Sequence, residues 1–254
     1  MARMVQMGFA LVAYAVFFAT FLYLIAFVGD LPIVPVTVDR GPEAAPGIAL
    51  AVNLGLIALF GLQHSAMARQ GFKRWWTGIV PPAAERSVYV LAASLMLMLL
   101  FWGWRPMTAT IWQVDNAIGA AALWTIFAAG WAIVLLSTFL INHFELFGLQ
   151  QAWFALRDRA AAAPQFRQPF FYRFVRHPLY SGFFLAFWAT PHMTAGHLLL
   201  AAGMAAWMLL AIRAEEKDLV AVFGPEYEEY RARVGMLAPG IGRTKVPRTA
   251  IPAE

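Results

Sequence analysis

"RHPLYSGFFLAFWATPHMTAGHLLLAAGMAAWMLLAIRAEE", residues 176–216, is the stretch that decides the fold of this chain. Its apolar part runs from 179 to 212, which is longer than one crossing of a bilayer requires at about 1.5 Å per residue. The interruption "TPHMTAGH", with its proline and glycine, indicates a turn in the middle. The stretch therefore predicts two helices in a tight hairpin, whose polar ends emerge on the same face of a membrane.

The rest of the chain contains further apolar runs of membrane-crossing length. Hydrophobic residues make up 61% of the 254 residues and charged residues 13%, whereas soluble domains are about a quarter charged. We expect an all-α, polytopic membrane helical bundle, with about four spans, the C-terminal hairpin and an interfacial amphipathic tail. No alternating pattern indicates a β-barrel, and the lack of cysteine excludes disulfides and thiolate metal sites. The predicted spans are 7–28, 47–67, 87–104 and 117–141.

The loops between these spans alternate in charge. Loops 68–86 and 142–178 carry an excess of arginine and lysine, whereas loop 29–46 is acidic and loop 105–116 is balanced. Basic loops remain on the cytoplasmic side of a bacterial inner membrane, which predicts a cytoplasmic N-terminus and C-terminus. The net charge of +5 reflects this asymmetry, so it indicates contact with membrane lipid and not nucleic-acid binding.

The two ends of the hairpin bring different chemical groups to one interfacial position. An arginine can bind a carboxylate through two hydrogen bonds. Paired acids can bind ribose hydroxyls or face a cation, and aromatic rings attract cations. The residues predicted to meet there are Arg176, His177, Tyr180, Arg213, Glu215 and Glu216.

The segment after the hairpin, "KDLVAVFGPEYEEYRARV" at 217–234, predicts the end of one helix and a second short helix. Gly224 suits a helix stop and Pro225 suits the first position of the next helix. Tyr227 and Tyr230 then lie on one face of it. A solvated amphipathic tail on the membrane surface is the alternative interpretation.

These motifs, taken in order, resemble those of the integral-membrane methyltransferases, which include isoprenylcysteine carboxyl methyltransferase and phospholipid methyltransferases. The shared pattern is Arg-His-Pro-x-Tyr-x-Gly, a helical hairpin, a Glu-Glu pair and Phe-Gly-x-x-Tyr-x-x-Tyr, within about 170–235. The resemblance implies S-adenosylmethionine as methyl donor, bound at the cytoplasmic interface without a dinucleotide-binding domain, since no G-x-G-x-x-G motif follows a strand. It implies that the cofactor contacts Arg176, His177, Pro178, Tyr180, Gly182, Glu215 and Glu216, together with Tyr227, Tyr230 and Arg231.

The apolar runs and these motifs together predict a division of the chain into three parts. Residues 1–141 form the first four transmembrane helices. Residues 142–241 form the cofactor-binding part, with a cytoplasmic connector, the hairpin and interfacial helices. Residues 242–254 form a disordered tail.

The N-terminal half is more similar to the bacterial NnrU-like branch of this group. The stretches that carry this similarity are "GLQHSAMAR" at 61–69 and "STFLINHFELFGLQQAW" at 137–153. It implies methyl transfer to a small volatile thiol, with methanethiol converted to dimethyl sulfide. The branch also resembles a haem-binding carotene isomerase, in which His64 and His143 would be axial ligands.

The polar residues of these two stretches are the candidate catalytic groups. His64 and His143 end two spans on the cytoplasmic side, and ionisable groups within membranes usually mark a site. A thiol must lose its proton to become nucleophilic, and a neutral histidine can accept it. The alternative for His64 is a hydrogen bond to a neighbouring helix. Asn142, also a catalytic candidate, could instead cap a helix.

The sequence leaves the acceptor and the assembly state open. A lipid, an amine or a prenylated thiol could replace the small thiol as substrate of the same site. No compact cluster of metal ligands is present, so we expect no metal site, although His64, His143 and Glu145 could meet in the fold. A transporter is disfavoured because the sequence has no inverted repeat.

Overall fold

The computed structural model describes residues 1–160 and 165–244, which fold into a helical bundle with two short strands. Residues 245–254 of the predicted disordered tail lie outside the described residues. The helices are α1 (Ala2–Val28), α2 (Pro46–Ala68), α3 (Gln70–Trp76), α4 (Pro82–Gly103), α5 (Ala117–Ile141), α6 (His143–Leu146), α7 (Leu149–Leu156), α8 (Pro178–Trp188), α9 (Ala195–Phe223) and α10 (Pro225–Arg233). The strands are β1 (Thr110–Gln113) and β2 (His192–Thr194).

Five helices of the described part of the chain, α1, α2, α4, α5 and α9, are long and apolar enough to cross a membrane. Between 22% and 44% of the apolar stretch of each is buried inside the protein, so most of that surface faces outward, as lipid requires. The predicted all-α polytopic membrane bundle is confirmed. Helix α4 begins at Pro82, before the predicted span, because proline suits the first turn of a helix. This first turn carries charged residues, so a prediction from apolar run length left it out.

The predicted hairpin is present, with arms of unequal length. Helix α8 has 11 residues, so it spans about 16 Å, roughly half of the hydrocarbon thickness. The extended residues 189–194 complete the crossing, and β2 pairs with β1 in antiparallel register. The indole Nε1 of Trp112 donates to the carbonyl of Thr190 at 3.1 Å. These bonds satisfy backbone that lipid would leave unpaired.

The bundle has two distinct ends. At one end, Arg3 forms an ion pair with Asp158 at 2.9 Å, so the N-terminus lies beside the connector that leads into α8. We call this end the site face. At the opposite face, the Thr194 hydroxyl donates to Asp39 at 2.5 Å and joins the loop after α1 to the hairpin turn. The loops that alternate in charge therefore lie at opposite ends of the bundle.

Helix α8 packs against α5 through two glycines. A Cβ added at Gly130 would lie 2.7 Å from the backbone of Gly182 and Ala186, and one at Gly182 would lie 2.7 Å from the Gly130 carbonyl. Small residues permit such close helix approach in membranes. Because the helices are antiparallel, this contact brings the buried Ser137 of α5 near the level of Pro178, where α8 begins.

Helix α9 packs alongside α2 in the same direction and with a constant register. A Cβ at Gly203 would lie 3.0 Å from Ile57, and a Cβ at Gly61 would overlap the Trp207 indole. Both contacts join residues 146 positions apart, so Ala68 at the end of α2 is level with Ala214. Glu215 and Glu216 therefore follow at the point where α2 ends.

The glycine contact predicts a stability difference between two substitutions. Gly130→Ala should lower the free energy of unfolding by about 1–3 kcal/mol, because the new methyl group meets backbone atoms that cannot rotate away. Gly55→Ala in α2, where nothing lies within 4 Å of the added Cβ, should be neutral or stabilising by up to about 1 kcal/mol. Denaturation of both variants in detergent checks this, and equal effects would contradict the packing described.

Candidate active site

The two ends of the hairpin meet in a buried charge cluster on the site face. Nε of Arg176 donates to Oε1 of Glu216 at 2.7 Å, and Nε2 of His177 lies 3.1 Å from the same oxygen. The Arg176 side chain is 1% exposed and that of Glu216 is 10% exposed. A buried carboxylate needs such partners because it has lost its hydration. The sequence prediction that these groups converge is confirmed by these contacts.

The remaining donors of Arg176 bind backbone of the C-terminal segment. Its terminal nitrogens donate to the carbonyls of Arg231, Val234 and Gly242, at 3.2, 2.5 and 3.1 Å. The backbone N–H of Arg176 also donates to Gly235 at 2.8 Å. Because most of its five N–H groups are used in this way, Arg176 holds Glu216 and the C-terminal segment in place.

Helix α10 packs onto this cluster with its aromatic face. Tyr227 and Tyr230 are each 2% exposed and contact Phe166, as their spacing predicted. The hydroxyl of Tyr230 donates to the carbonyl of Tyr172 at 2.5 Å. Burial raises the pKa of Tyr230 to about 12, against the opposing effect of the Arg176 charge. Arg231 places its Nε 3.3 Å from Oε2 of Glu216.

Glu215, unlike its neighbour Glu216, keeps an open carboxylate. Its side chain is 47% exposed, and one oxygen lies 4.0 Å from Nδ1 of His177. It is close enough to act electrostatically on the hydroxyls of Tyr89, Tyr172 and Tyr180. Burial, followed by the negative charge of Glu215, raises the pKa of Tyr172 well above its usual range. An accessible carboxylate beside protonated phenols can accept hydrogen bonds from a polar ligand or face a cation.

His64 joins this region through a residue that the sequence did not indicate. The Tyr89 hydroxyl lies 2.9 Å from Nε2 and 3.2 Å from Nδ1 of His64. The Arg86 guanidinium lies over the Tyr89 ring, 5.1 Å from its centre. Tyr89 occurs within the apolar pattern of a spanning helix, so only the three-dimensional packing of α2 against α4 shows its place.

His143 occupies a separate aromatic pocket between α1, α5 and α7. Its Nε2 lies 2.8 Å from the Tyr14 hydroxyl and its Nδ1 lies 2.8 Å from the Thr138 hydroxyl. Thr138 donates its own proton to Leu135, so neutral His143 donates from Nδ1 and accepts at Nε2. Its ring stacks on Phe139 at 4.1 Å. Burial lowers the pKa of His143.

Asn142 has the geometry of a helix cap. Its Oδ1 accepts from the backbone N–H of Glu145 at 3.3 Å, and its Nδ2 donates to the Glu145 carboxylate at 2.9 Å. Nδ2 also donates to Gln150 at 2.5 Å. These contacts supply a structural reason for Asn142 at the start of α6, and its catalytic role stays a prediction.

The predicted site residues thus fall into two groups on the site face. Within the described residues, the hydrogen bonds of His143 and Asn142 go to their own pocket and not to the charge cluster. Pro178 begins α8 beside the cluster, and Gly182 faces α5. The residues around the cluster are Arg176, His177, Pro178, Tyr180, Glu215, Glu216, Tyr227, Tyr230 and Arg231, with His64 joined through Tyr89.

Comparisons with known proteins agree with the motifs. The family described as NnrU protein matches residues 52–243. The chain is 52% identical to methanethiol S-methyltransferase of Mycobacterium tuberculosis, over 94% of this chain and 98% of that protein. It is 52% identical to methanethiol S-methyltransferase 1 of Bradyrhizobium diazoefficiens, over 91% and 81%. It is 46% identical to methanethiol S-methyltransferase of Crocosphaera subtropica, over 96% and 95%. No solved structure matches the chain. The resemblance predicted from the sequence is confirmed.

The buried ion pair predicts that an uncharged side chain in place of Glu216 strongly lowers the stability of the protein. Glu216→Gln should lower the free energy of unfolding by about 3–5 kcal/mol, because Arg176 stays buried without a counter-charge. Asp158→Asn removes the exposed Arg3–Asp158 pair, in which Asp158 is 81% exposed, and should cost less than about 1 kcal/mol. Unfolding of both variants in detergent measures the difference. Similar losses would show that Glu216 is not a structural partner of Arg176.

The buried His143 predicts a pH dependence of stability. Its pKa is lower in the folded protein than in the unfolded chain, so the unfolded chain binds the proton first as the pH falls. Its contribution to stability is therefore complete above the usual pKa of about 6.5 and is lost below it. His143→Gln should flatten the fall in unfolding temperature between neutral pH and pH ~5. Parallel curves for the two proteins would contradict this role.

Proposed function

The chain belongs to the NnrU protein family, and from this premise we propose that it is an S-adenosylmethionine-dependent membrane S-methyltransferase. The proposed reaction converts methanethiol to dimethyl sulfide. The relatives that share about half of its residues over nearly its full length are methanethiol S-methyltransferases by name. The observation that carries the proposal is the charge cluster at the hairpin ends, which leaves the Glu215 carboxylate accessible.

The groups around Glu215 fit S-adenosylmethionine. Nε of Arg231 pairs with Oε2 of Glu216 at 3.3 Å, and the side chain is 27% exposed, so its terminal nitrogens can donate to the cofactor's carboxylate. The Glu215 carboxylate can accept hydrogen bonds from ribose hydroxyls. The rings of Tyr180 and Tyr227 can face the positive sulfonium. These four residues, with His177, are the ones we assign to cofactor contact.

We assign a supporting role, without direct cofactor contact, to the remaining predicted residues: Arg176, Pro178, Gly182, Glu216 and Tyr230. Arg176 and Glu216 hold each other, Tyr230 anchors the connector, and Gly182 lets α8 approach α5. The bound cofactor would supply a methyl group activated by a sulfonium charge. The task of the protein is therefore to position both reactants, exclude water and accept the proton of the thiol.

His64 is the proton acceptor we assign. By the register of α2 against α9, it is level with Leu210, about 7.5 Å on the membrane side of Glu215. An apolar thiol that reaches the cofactor from the bilayer would meet His64 there. His143 is the less accessible base, because it is 5% exposed and its ring nitrogens bond two separate hydroxyls, whereas those of His64 share the single hydroxyl of Tyr89. For the same reason it would have to break a hydrogen bond to become a haem ligand.

The charged loops support one orientation of the protein in the membrane. The site face carries the basic loops at 68–86 and 142–178, so we propose that it faces the cytoplasm of a bacterial inner membrane. S-adenosylmethionine is a charged, water-borne molecule, and a site facing the cytoplasm would receive it without a membrane crossing.

Methyl transfer by the purified protein tests this function. In detergent with S-adenosylmethionine and methanethiol, we expect dimethyl sulfide in the headspace and no haem absorption band. Phosphatidylethanolamine and a prenylated cysteine serve as competing acceptors in parallel samples. If the cofactor binds and the methyl group is transferred only to one of these acceptors, that acceptor is the substrate in place of the thiol. A haem band without cofactor binding would overturn the proposal.

A variant pair tests the cofactor contact separately from catalysis. Glu215→Gln should weaken S-adenosylmethionine binding by about 10-fold or more, since a charged hydrogen-bond acceptor contributes roughly 1.5–3 kcal/mol. Glu229→Gln, an exposed carboxyl of α10, should bind the cofactor normally. Isothermal titration without acceptor measures both. Equal affinity of the two variants would show that the cofactor does not contact Glu215.

A further inference from the structure

The proton of the thiol must leave the site after each turnover. If His64 accepts it, as the proposed function requires, the proton must travel from α2 to water before the next thiol can be deprotonated. The structure contains a chain of groups suited to this task, and it starts at the Tyr89 hydroxyl.

Tyr89 contacts both ring nitrogens of His64. Its hydroxyl is 2.9 Å from Nε2 and 3.2 Å from Nδ1, while Phe60 stacks on the His64 ring at 5.3 Å. A hydroxyl has one proton and two acceptor positions. Tyr89 can therefore accept a proton from one ring nitrogen while it donates its own proton elsewhere.

The next groups lead towards water. The Tyr180 hydroxyl is near enough to both the Tyr89 hydroxyl and the Glu215 carboxylate to interact with them electrostatically. The Glu215 side chain is 47% exposed. The order His64, Tyr89, Tyr180, Glu215 therefore runs from the spanning part of α2 to a side chain that is open to solvent.

The charges along this route favour outward movement of the proton. Arg86 lies over the Tyr89 ring at 5.1 Å and is fixed by its hydrogen bond to the carbonyl of Leu146 at 2.7 Å. Its positive charge disfavours a second positive charge on His64. Glu85 of α4 and Glu215 of α9 carry the negative charges that act on Tyr89, and the Glu215 side chain is 47% exposed to solvent.

We propose that Tyr89 is a positioning residue that orients His64 and passes the thiol proton from His64 through Tyr180 to Glu215. The S–H proton moves to His64, and the thiolate sulfur gives its electron pair to the methyl carbon. The bond from that carbon to the donor sulfur breaks, and its electron pair remains on the donor. The proton leaves from Glu215 to water, so protons and charge balance.

Tyr89→Phe tests the relay, because it removes the hydroxyl and retains the ring. Wild-type formation of dimethyl sulfide is measured first, so that failure of the proposed function is recognised separately. For methanethiol at neutral pH, kcat of the variant should fall by about 10-fold to 100-fold and recover as the pH rises. For trifluoroethanethiol, a larger and more acidic thiol, kcat of the variant should stay within about two-fold of the wild-type value for the same thiol, because the thiolate forms in solution.

Tyr23→Phe is the matched control. Tyr23 is a partly buried tyrosine whose hydroxyl donates to the carbonyl of Val36 at 3.0 Å, and it stacks on Phe101. It should leave kcat unchanged for both thiols. A structural role of Tyr89 would instead reduce activity equally for both thiols at every pH, and that result would overturn the relay, as would no loss with either thiol.

A measurement without cofactor or turnover completes the test. In protein labelled with ¹⁵N-histidine, the His64 ring signals, identified by their absence in His64→Gln, should shift in Tyr89→Phe. Unchanged signals would show that the two groups do not interact and would overturn the inference. If Tyr89→Phe does not fold, His64→Gln carries the kinetic test, because glutamine can bond Tyr89 but cannot accept a proton, and it should show the same dependence on thiol acidity.

Discussion

The buried ion pair between Arg176 and Glu216 is the interaction on which the rest of the site depends. Both groups lie at the ends of a hairpin, and neither could be buried alone without a large desolvation cost. Their 2.7 Å contact fixes where the two arms meet. The other donors of Arg176 hold the chain around Val234 and Gly242, so one guanidinium joins the hairpin to the C-terminal segment.

This pair divides two adjacent acids into different tasks. Glu216 binds Arg176 and His177, whereas the carboxylate of Glu215 stays 47% exposed beside three tyrosines. The helix makes this difference, because consecutive residues point about 100° apart. A Glu-Glu pair at a helix end can thus stabilise the fold with one member and offer the other to a ligand. In our proposal, that ligand is the methyl donor.

Apolar run length and charge made the spans, the hairpin and the meeting of its ends predictable from the sequence, because burying polar groups in lipid is costly. The face of Tyr227 and Tyr230 followed from helical spacing. The pairing of β1 with β2 was missed, since short strands joined across distant loops have no local signal. Tyr89 was missed for a related reason. A tyrosine in an apolar helix is usually a packing residue, and its contact with His64 depends on how α2 meets α4.

The short helix α8 explains why such a site can exist at the edge of a membrane. If α8 were long enough to cross the whole bilayer, its polar first turn would be buried or the hairpin turn at the opposite face would be displaced. Because α8 crosses about half the bilayer and the β1–β2 pair satisfies the extended remainder, its first residues can remain at the level where α2 ends. There His64 lies about 7.5 Å further into the bundle than Glu215, whose carboxylate is open to solvent. A site with these two levels suits a reaction that joins an apolar acceptor to a charged donor and must return a proton to water.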